Sequence, residues 1–411
     1  MEMKNKKTSI QLSVIWNSAG SITYLVTQWL INVLVVRLAG VGAAGDLTLA
    51  MSVNNVFYSI AMQGIRNYQV SDIKNKYSDG VYVSSRALSC GASFLICIGY
   101  CLIIQYSAWQ KTCIIMYCLF KISEALYDVY AGICQKSWRM DYIGKSWMIK
   151  GVITFIAFSI TLYISSNLVM AIIIMAMSSF CVVFTYDIPK AKSLADIQVK
   201  LKQKENFSLM SECAPLFCYL ILSTIIPTIP RLFMERILGS YELGIYGSVA
   251  SPTLIVQMGA SYIFNPFLTL FAEKYNYGKI DDFWRTLKKC MLAIGILSLA
   301  ALIGGQLLGK WGLRVLYGNE VARYVYLLVP LILCTILTAI VWFLCALLTV
   351  VRDFKGLIIS NLIIVVISCL TSGTLLRRFG MQGASMALSL SLVIETVFLW
   401  ICLKRKVNKR G

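Results

Sequence analysis

The chain has 411 residues, 58% of them apolar, a mean hydropathy of +0.73, and a net charge of +19 without one histidine. A soluble domain is roughly 45–50% apolar, so this composition excludes a water-soluble globule, and the missing histidine excludes a His-based triad, proton relay or zinc site. The positive charge sits in short loops between apolar runs, a pattern that cytoplasmic loops of membrane proteins account for without nucleic acid.

Apolar runs of about 20 residues predict twelve membrane spans, which makes this an all-α polytopic membrane protein. They cover 11–36, 47–65, 87–106, 112–133, 147–165, 168–187, 209–230, 244–268, 290–308, 325–350, 357–376 and 383–403. The first run follows a basic start but is a full span without a small-residue cleavage site, so no cleaved signal peptide is expected. It carries Asn17, Ser21, Tyr24, Gln28 and Asn32, within about an 80° arc of a helix. The second span carries Thr48, Ser52, Asn55, Ser59, Gln63 and Arg66, again within about 80°. Such stripes read either as the wall of a polar cavity or as interhelical hydrogen bonding.

The fourth span places Tyr117, Lys121, Glu124 and Asp128 on one helical face. Each intramembrane charge costs about 2.5–3.5 kcal/mol on insertion scales. These groups must therefore pair with one another or face an aqueous interior. A substrate or coupling-ion site and a structural Lys121–Glu124 pair both satisfy that need. The seventh span opens with Glu212 and contains Pro215, Pro227 and Pro230, followed by Arg231, Glu235 and Arg236. Its prolines predict a bent helix. Span 8 adds Pro252, Asn265 and Pro266. Arg37, Arg231 and Arg236 at one end of these spans could draw a diphosphate or anchor the helices at headgroups.

Loop charge tests the span count. Twelve spans put 28 of the 38 Lys and Arg on one side and 9 on the other, with Lys121 inside a span. This asymmetry places both termini in the cytoplasm. The longest polar stretch, 188–208, separates a six-span lobe at 1–187 from a second at 209–403, with a basic tail at 404–411. RLAGVGAAG at 37–45 and RILGSYELG at 236–244 repeat Arg-x-x-Gly-x-x-x-x-Gly at equivalent places in the two halves. Internal repeats of this sort are how many transporters are built. Gly40 and Gly239 are expected to take the positive φ that ends a helix. No phosphate-binding loop, GxSxG or HExxH is present, and no cysteine spacing fits a metal, so no catalytic residue, cofactor or metal is expected.

The first span with its RLAG turn, GIRNYQVSD at 64–72, YSDGVYVSSR at 77–86 and ERILGSYELGIYGSVASP at 235–252 give a fuller signature. With them the chain resembles the polysaccharide transport flippases (Wzx-like) of the MOP exporter superfamily, over essentially its whole length. The resemblance implies two six-helix bundles forming a V-shaped central cavity lined by spans 1, 2, 7 and 8. It implies transfer of undecaprenyl-diphosphate-linked oligosaccharide repeats, for O-antigen, capsule or exopolysaccharide, across the bacterial plasma membrane by alternating access. Candidate lining residues are Asn17, Ser21, Tyr24, Gln28, Asn32, Ser52, Asn55, Ser59 and Gln63, with Arg66, Arg231 and Arg236 toward the diphosphate. Lys121, Glu124, Asp128 and Glu212 are candidates for H+ or Na+ coupling or for cavity charge. Membrane lipids, a polysaccharide polymerase and chain-length proteins are the expected partners. A multidrug-type antiporter is disfavoured because 11–36 contains no Asp or Glu. An exporter of another lipid-linked substrate and a membrane glycosyltransferase stay open as alternatives.

Overall fold

The computed structural model describes residues 2–72, 74–199 and 204–408, with side chains from residue 12 onward. The described residues form helices and turns and no strand. In chain order the helices are α1 (Glu2–Met62), α2 (Ile65–Ser71), α3 (Asp79–Ile103), α4 (Ala108–Lys136), α5 (Met140–Ser165), α6 (Leu168–Val182) and α7 (Ile188–Lys192). Then come α8 (Lys204–Ile237), α9 (Ser240–Ala250), α10 (Leu254–Phe264), α11 (Leu268–Asn276), α12 (Ile280–Tyr317) and α13 (Asn319–Ala322). The last three are α14 (Leu328–Val350), α15 (Phe354–Phe379) and α16 (Met381–Asn408). Among the described residues ten stretches are long and apolar enough to cross a membrane. One of these, Leu12–Ser71, contains both of the first two predicted spans. The fourth predicted span is α4, whose 29 residues suffice in length but carry Lys121, Glu124 and Asp128.

Two glycines set the turns of the repeated motif. Gly40 interrupts α1 with φ 88° and ψ 172°, and Gly239 separates α8 from α9 with φ 106° and ψ 176°. An L-residue rarely enters that region. The two copies of the motif therefore bend the chain at the same place in the same way. Prolines act differently in the two membrane segments that carry them. The helix α8 runs through Pro215, Pro227 and Pro230 as one element of 34 residues. Pro252 and Pro266 sit in 3₁₀ turns, Ser251–Thr253 and Asn265–Phe267, which divide the eighth span into α9, α10 and α11. Proline lacks the donor that the longer α-helical bond needs, and the tighter turn accommodates that loss.

By contacts the chain divides into two compact units, residues 1–221 and 222–411. In the first, α1 and α5 meet backbone to backbone. A methyl group on Gly144 would collide with the Trp16 carbonyl oxygen, so no larger residue fits this crossing. Around it α4 packs against α1, α3 and α6. The close approach also brings aromatic rings together, with those of Tyr24 and Trp147 4.2 Å apart and those of Tyr127 and Trp147 4.7 Å apart. In the second unit α14 is packed against α10, α12 and α16, and α15 against α16. Phe264, Phe271 and Phe343 form its aromatic centre. All 14 cysteines are free. The stretch 188–208, expected between the lobes, contains α7 and the start of α8. Its residues 200–203, and residues 409–411 of the basic tail, lie outside the described residues.

Candidate functional site

The charges of α4 find partners inside the first unit. Asp128 binds two guanidiniums at once, Arg66 through Oδ1 at 3.0 Å and Arg86 through Oδ2 at 2.8 Å. Arg86 is fully buried and also donates to the Ala61 carbonyl at 2.6 Å. Arg66 is partly open and donates through Nε and Nη2 to the Gln135 side-chain oxygen. Lys121 donates to Glu124 at 2.7 Å and stands within 6 Å of the rings of Tyr58, Tyr117 and Phe120. One helical face of α4 thus carries two separate pairings: Lys121 with Glu124, and Asp128 with arginines from other segments.

A third buried pair was not visible in the sequence. Lys150 on α5 and Asp187, at the end of the π-helical turn Val183–Asp187, approach to 3.6 Å. Both are buried. Lys150 Nζ lies 4.1 Å from the centre of the Tyr127 ring. Arg86 stands just before the third predicted span and Lys150 near the start of the fifth, and the count of loop charge takes both as cytoplasmic and in water. Only the packing of α3 and α5 shows that they are internal. The one sequence signal was that each stands at the edge of an apolar run.

The polar stripes are divided between interior and surface. In the first span Tyr24 is buried against Trp147, whereas Asn17, Ser21, Gln28 and Asn32 are half-buried. Asn32 donates back to the Gln28 carbonyl at 3.2 Å. In the second span Ser52, Ser59 and Gln63 are buried and Asn55 is exposed. Ser52 and Ser59 donate one turn back, to the carbonyls of Thr48 and Asn55. Such back-bonding satisfies a hydroxyl inside an apolar bundle. Of the polar side chains of the second span, Asn55, half-buried Tyr58 and Arg66 reach a surface.

A clasp closes one end of the first unit. Glu212 on α8 accepts from Lys76 at 2.5 Å, from the Tyr77 hydroxyl at 2.8 Å, and from the Tyr68 hydroxyl. Beside it Asp72 accepts from the Tyr82 hydroxyl at 2.8 Å and from the backbone N–H groups of Lys76 and Tyr77. Burial opposes the charge on Asp72, but these donors outweigh it and hold its carboxyl below the usual range. The Glu212 carboxylate raises the pKa of Lys76. In the second unit Arg231 is half-buried and Arg236 is exposed on the last turn of α8. Tyr246 and Ser385 share a hydrogen bond of 3.1 Å deeper in that unit.

A bundle of membrane-length helices with ion pairs buried among them defines a multi-pass membrane protein. Residues 12–271 match the model of the family described as polysaccharide biosynthesis protein, and the chain belongs to that family. It is 25% identical over 390 residues to the capsular polysaccharide biosynthesis protein CapF of Staphylococcus aureus, covering 92% of this chain and 95% of that one. The lipid II flippase MurJ in an inward closed conformation shares the fold, with a TM-score of 0.76 at 13% identity over 96% of this chain and 90% of that one. An inward-facing multidrug resistance MATE family transporter of the MOP superfamily matches with a TM-score of 0.71 at 9% identity, over 97% and 98% of the two chains. The fold is therefore that of the MOP transporters.

Proposed function

We propose that this protein is a flippase. It moves undecaprenyl-diphosphate-linked oligosaccharide repeats from the inner to the outer face of the plasma membrane by alternating access, for capsule or a related surface polymer. The observation that carries this reading is the family match over residues 12–271, taken with the transporter fold shared with MurJ. The full-length similarity to CapF points to capsule. In this reading the sugar and diphosphate pass along polar groups of lobes 1–187 and 209–403 while the polyprenyl chain stays in lipid. Arg66, Arg231 and Arg236 guide the diphosphate, since guanidinium pairs well with phosphate oxygens. A polymerase and chain-length proteins take the product on the outer side.

Deletion of the gene in its host tests the reading. Undecaprenyl-linked repeats should accumulate inside while surface polymer disappears. Unchanged surface polymer in a strain without a second flippase would sink it. At the residue level, Arg236→Ala should lower transport with normal protein abundance in the membrane, because the side chain is exposed. Unchanged transport makes Arg236 a headgroup anchor.

A further inference from the structure

The buried pair of Lys150 and Asp187 differs from the other ion pairs of the first unit. Asp128 is fully engaged by two guanidiniums at 2.8 and 3.0 Å. Lys150 and Asp187 stop at 3.6 Å. Lys150 Nζ, Asp187 Oδ2 and the neighbouring Ser146 Oγ are buried together but none reaches a described partner within 3.5 Å. Their residues are all but inaccessible. A buried charge in that condition is costly and calls for an explanation.

The surroundings supply one. A small cavity adjoins Asp187, lined by Tyr127, Tyr130, Tyr142, Tyr186 and Lys190, with room for about one water. Tyr142, Tyr186 and Lys190 are half-buried, so the cavity reaches the surface on the side of the basic loops. Tyr186 and Asp187 of the π-helical turn Val183–Asp187 line it; wide turns of this kind are frequent at functional sites. The cavity therefore leads to a buried pair, Asp187 and then Lys150. On α4, Glu124 Oε1 likewise makes no hydrogen bond with a described residue, and its other oxygen holds the partly open Lys121.

A metal cation does not suit this place, because the Lys150 ammonium already stands where it would bind. We propose that Asp187 is a proton-binding site filled from the cytoplasm. Hydronium in the cavity gives its proton to the Asp187 carboxylate and leaves as water, and Lys150 beside it senses the change in charge. The groups that face Asp187 are Lys150, Ser146 and Tyr142 from α5, Tyr127 and Cys134 from α4, Tyr186 from its own turn, and Lys190 from α7. This site supplies a proton acceptor to the flippase reading, and it can fail while that reading stands.

Infrared spectroscopy of the whole protein in lipid vesicles tests the site without any transported substrate. On acidification, aspartate-selective isotope labelling should reveal a protonated carboxyl C=O band that is lost in Asp187→Asn. Ser146→Ala, which removes a neighbour but no charge, should shift that band while keeping it. Should Asp187→Asn not reach the membrane, Asp187→Glu moves the band out of the aspartate-labelled set. A band that persists unchanged in both Asp187 variants, or one that never forms in the wild type, overturns the proposal.

Discussion

Asp128 holds Arg66 on one oxygen and Arg86 on the other, and the two arginines differ in exposure. Removing one partner of a buried pair leaves an uncompensated charge, at a cost of about 3–5 kcal/mol. Arg86→Met should therefore destabilise strongly, and Arg66→Met less, because water reaches Arg66. Thermal unfolding of the detergent-purified variants measures the order; equal losses would contradict it. Asp72 gives a pH dependence. Its folded pKa is depressed, so its contribution is present above its unfolded value, about 3.9, and is lost as pH falls through the folded value. Lys76 runs the other way. Its pKa is raised by Glu212, so its contribution is present below the unfolded value of about 10.4 and is lost at higher pH. Asp72→Asn should flatten the acid limb of the stability profile and leave the alkaline limb in place. The sequence exposed Lys121, Glu124 and Asp128 as charges in need of partners. It could not say that Asp128 belongs to Arg86, because that partner comes from another helix.

At the scale of elements, Gly40 and Gly239 do the same work in two helix junctions. A methyl group on Gly40 would meet nothing within 4 Å. Gly40→Ala therefore introduces backbone strain alone, about 1–3 kcal/mol, and should lower the unfolding temperature while the protein still inserts. Gly144→Ala has the opposite cause. Its backbone is ordinary but its methyl group would collide with the Trp16 carbonyl, so α1 and α5 must separate and the loss should exceed that of Gly40→Ala. A smaller loss at Gly144 than at Gly40 would show that the crossing yields easily. The repeated Arg-x-x-Gly motif makes both turns legible from residue order alone, since a glycine after an apolar run is the ordinary way to end a helix. The crossing is not legible in that way, because glycine in a membrane helix reads the same whether it faces lipid or another backbone.

For the molecule as a whole, the orientation expected from loop charge has a direct test. Gln105 lies between α3 and α4, and Ser193 follows α7; both are exposed. In a background without reactive native cysteines, Gln105→Cys should react with an impermeant thiol reagent in intact cells. Ser193→Cys should react only after permeabilisation. The reverse pattern would invert the topology. Sequence by itself determined the helical class, the apolar stretches long enough to span, the asymmetry of loop charge and the family, because hydropathy and charge are counted along the chain and the bilayer imposes one length on every span. Tertiary structure decided which polar groups turn inward. Ser52 and Ser59 satisfy themselves against their own helix, whereas Arg86, Lys150 and Asp187 are internal. A charge at the edge of an apolar run is placed in water or in protein only by the helix that packs over it, and that neighbour is distant in the chain.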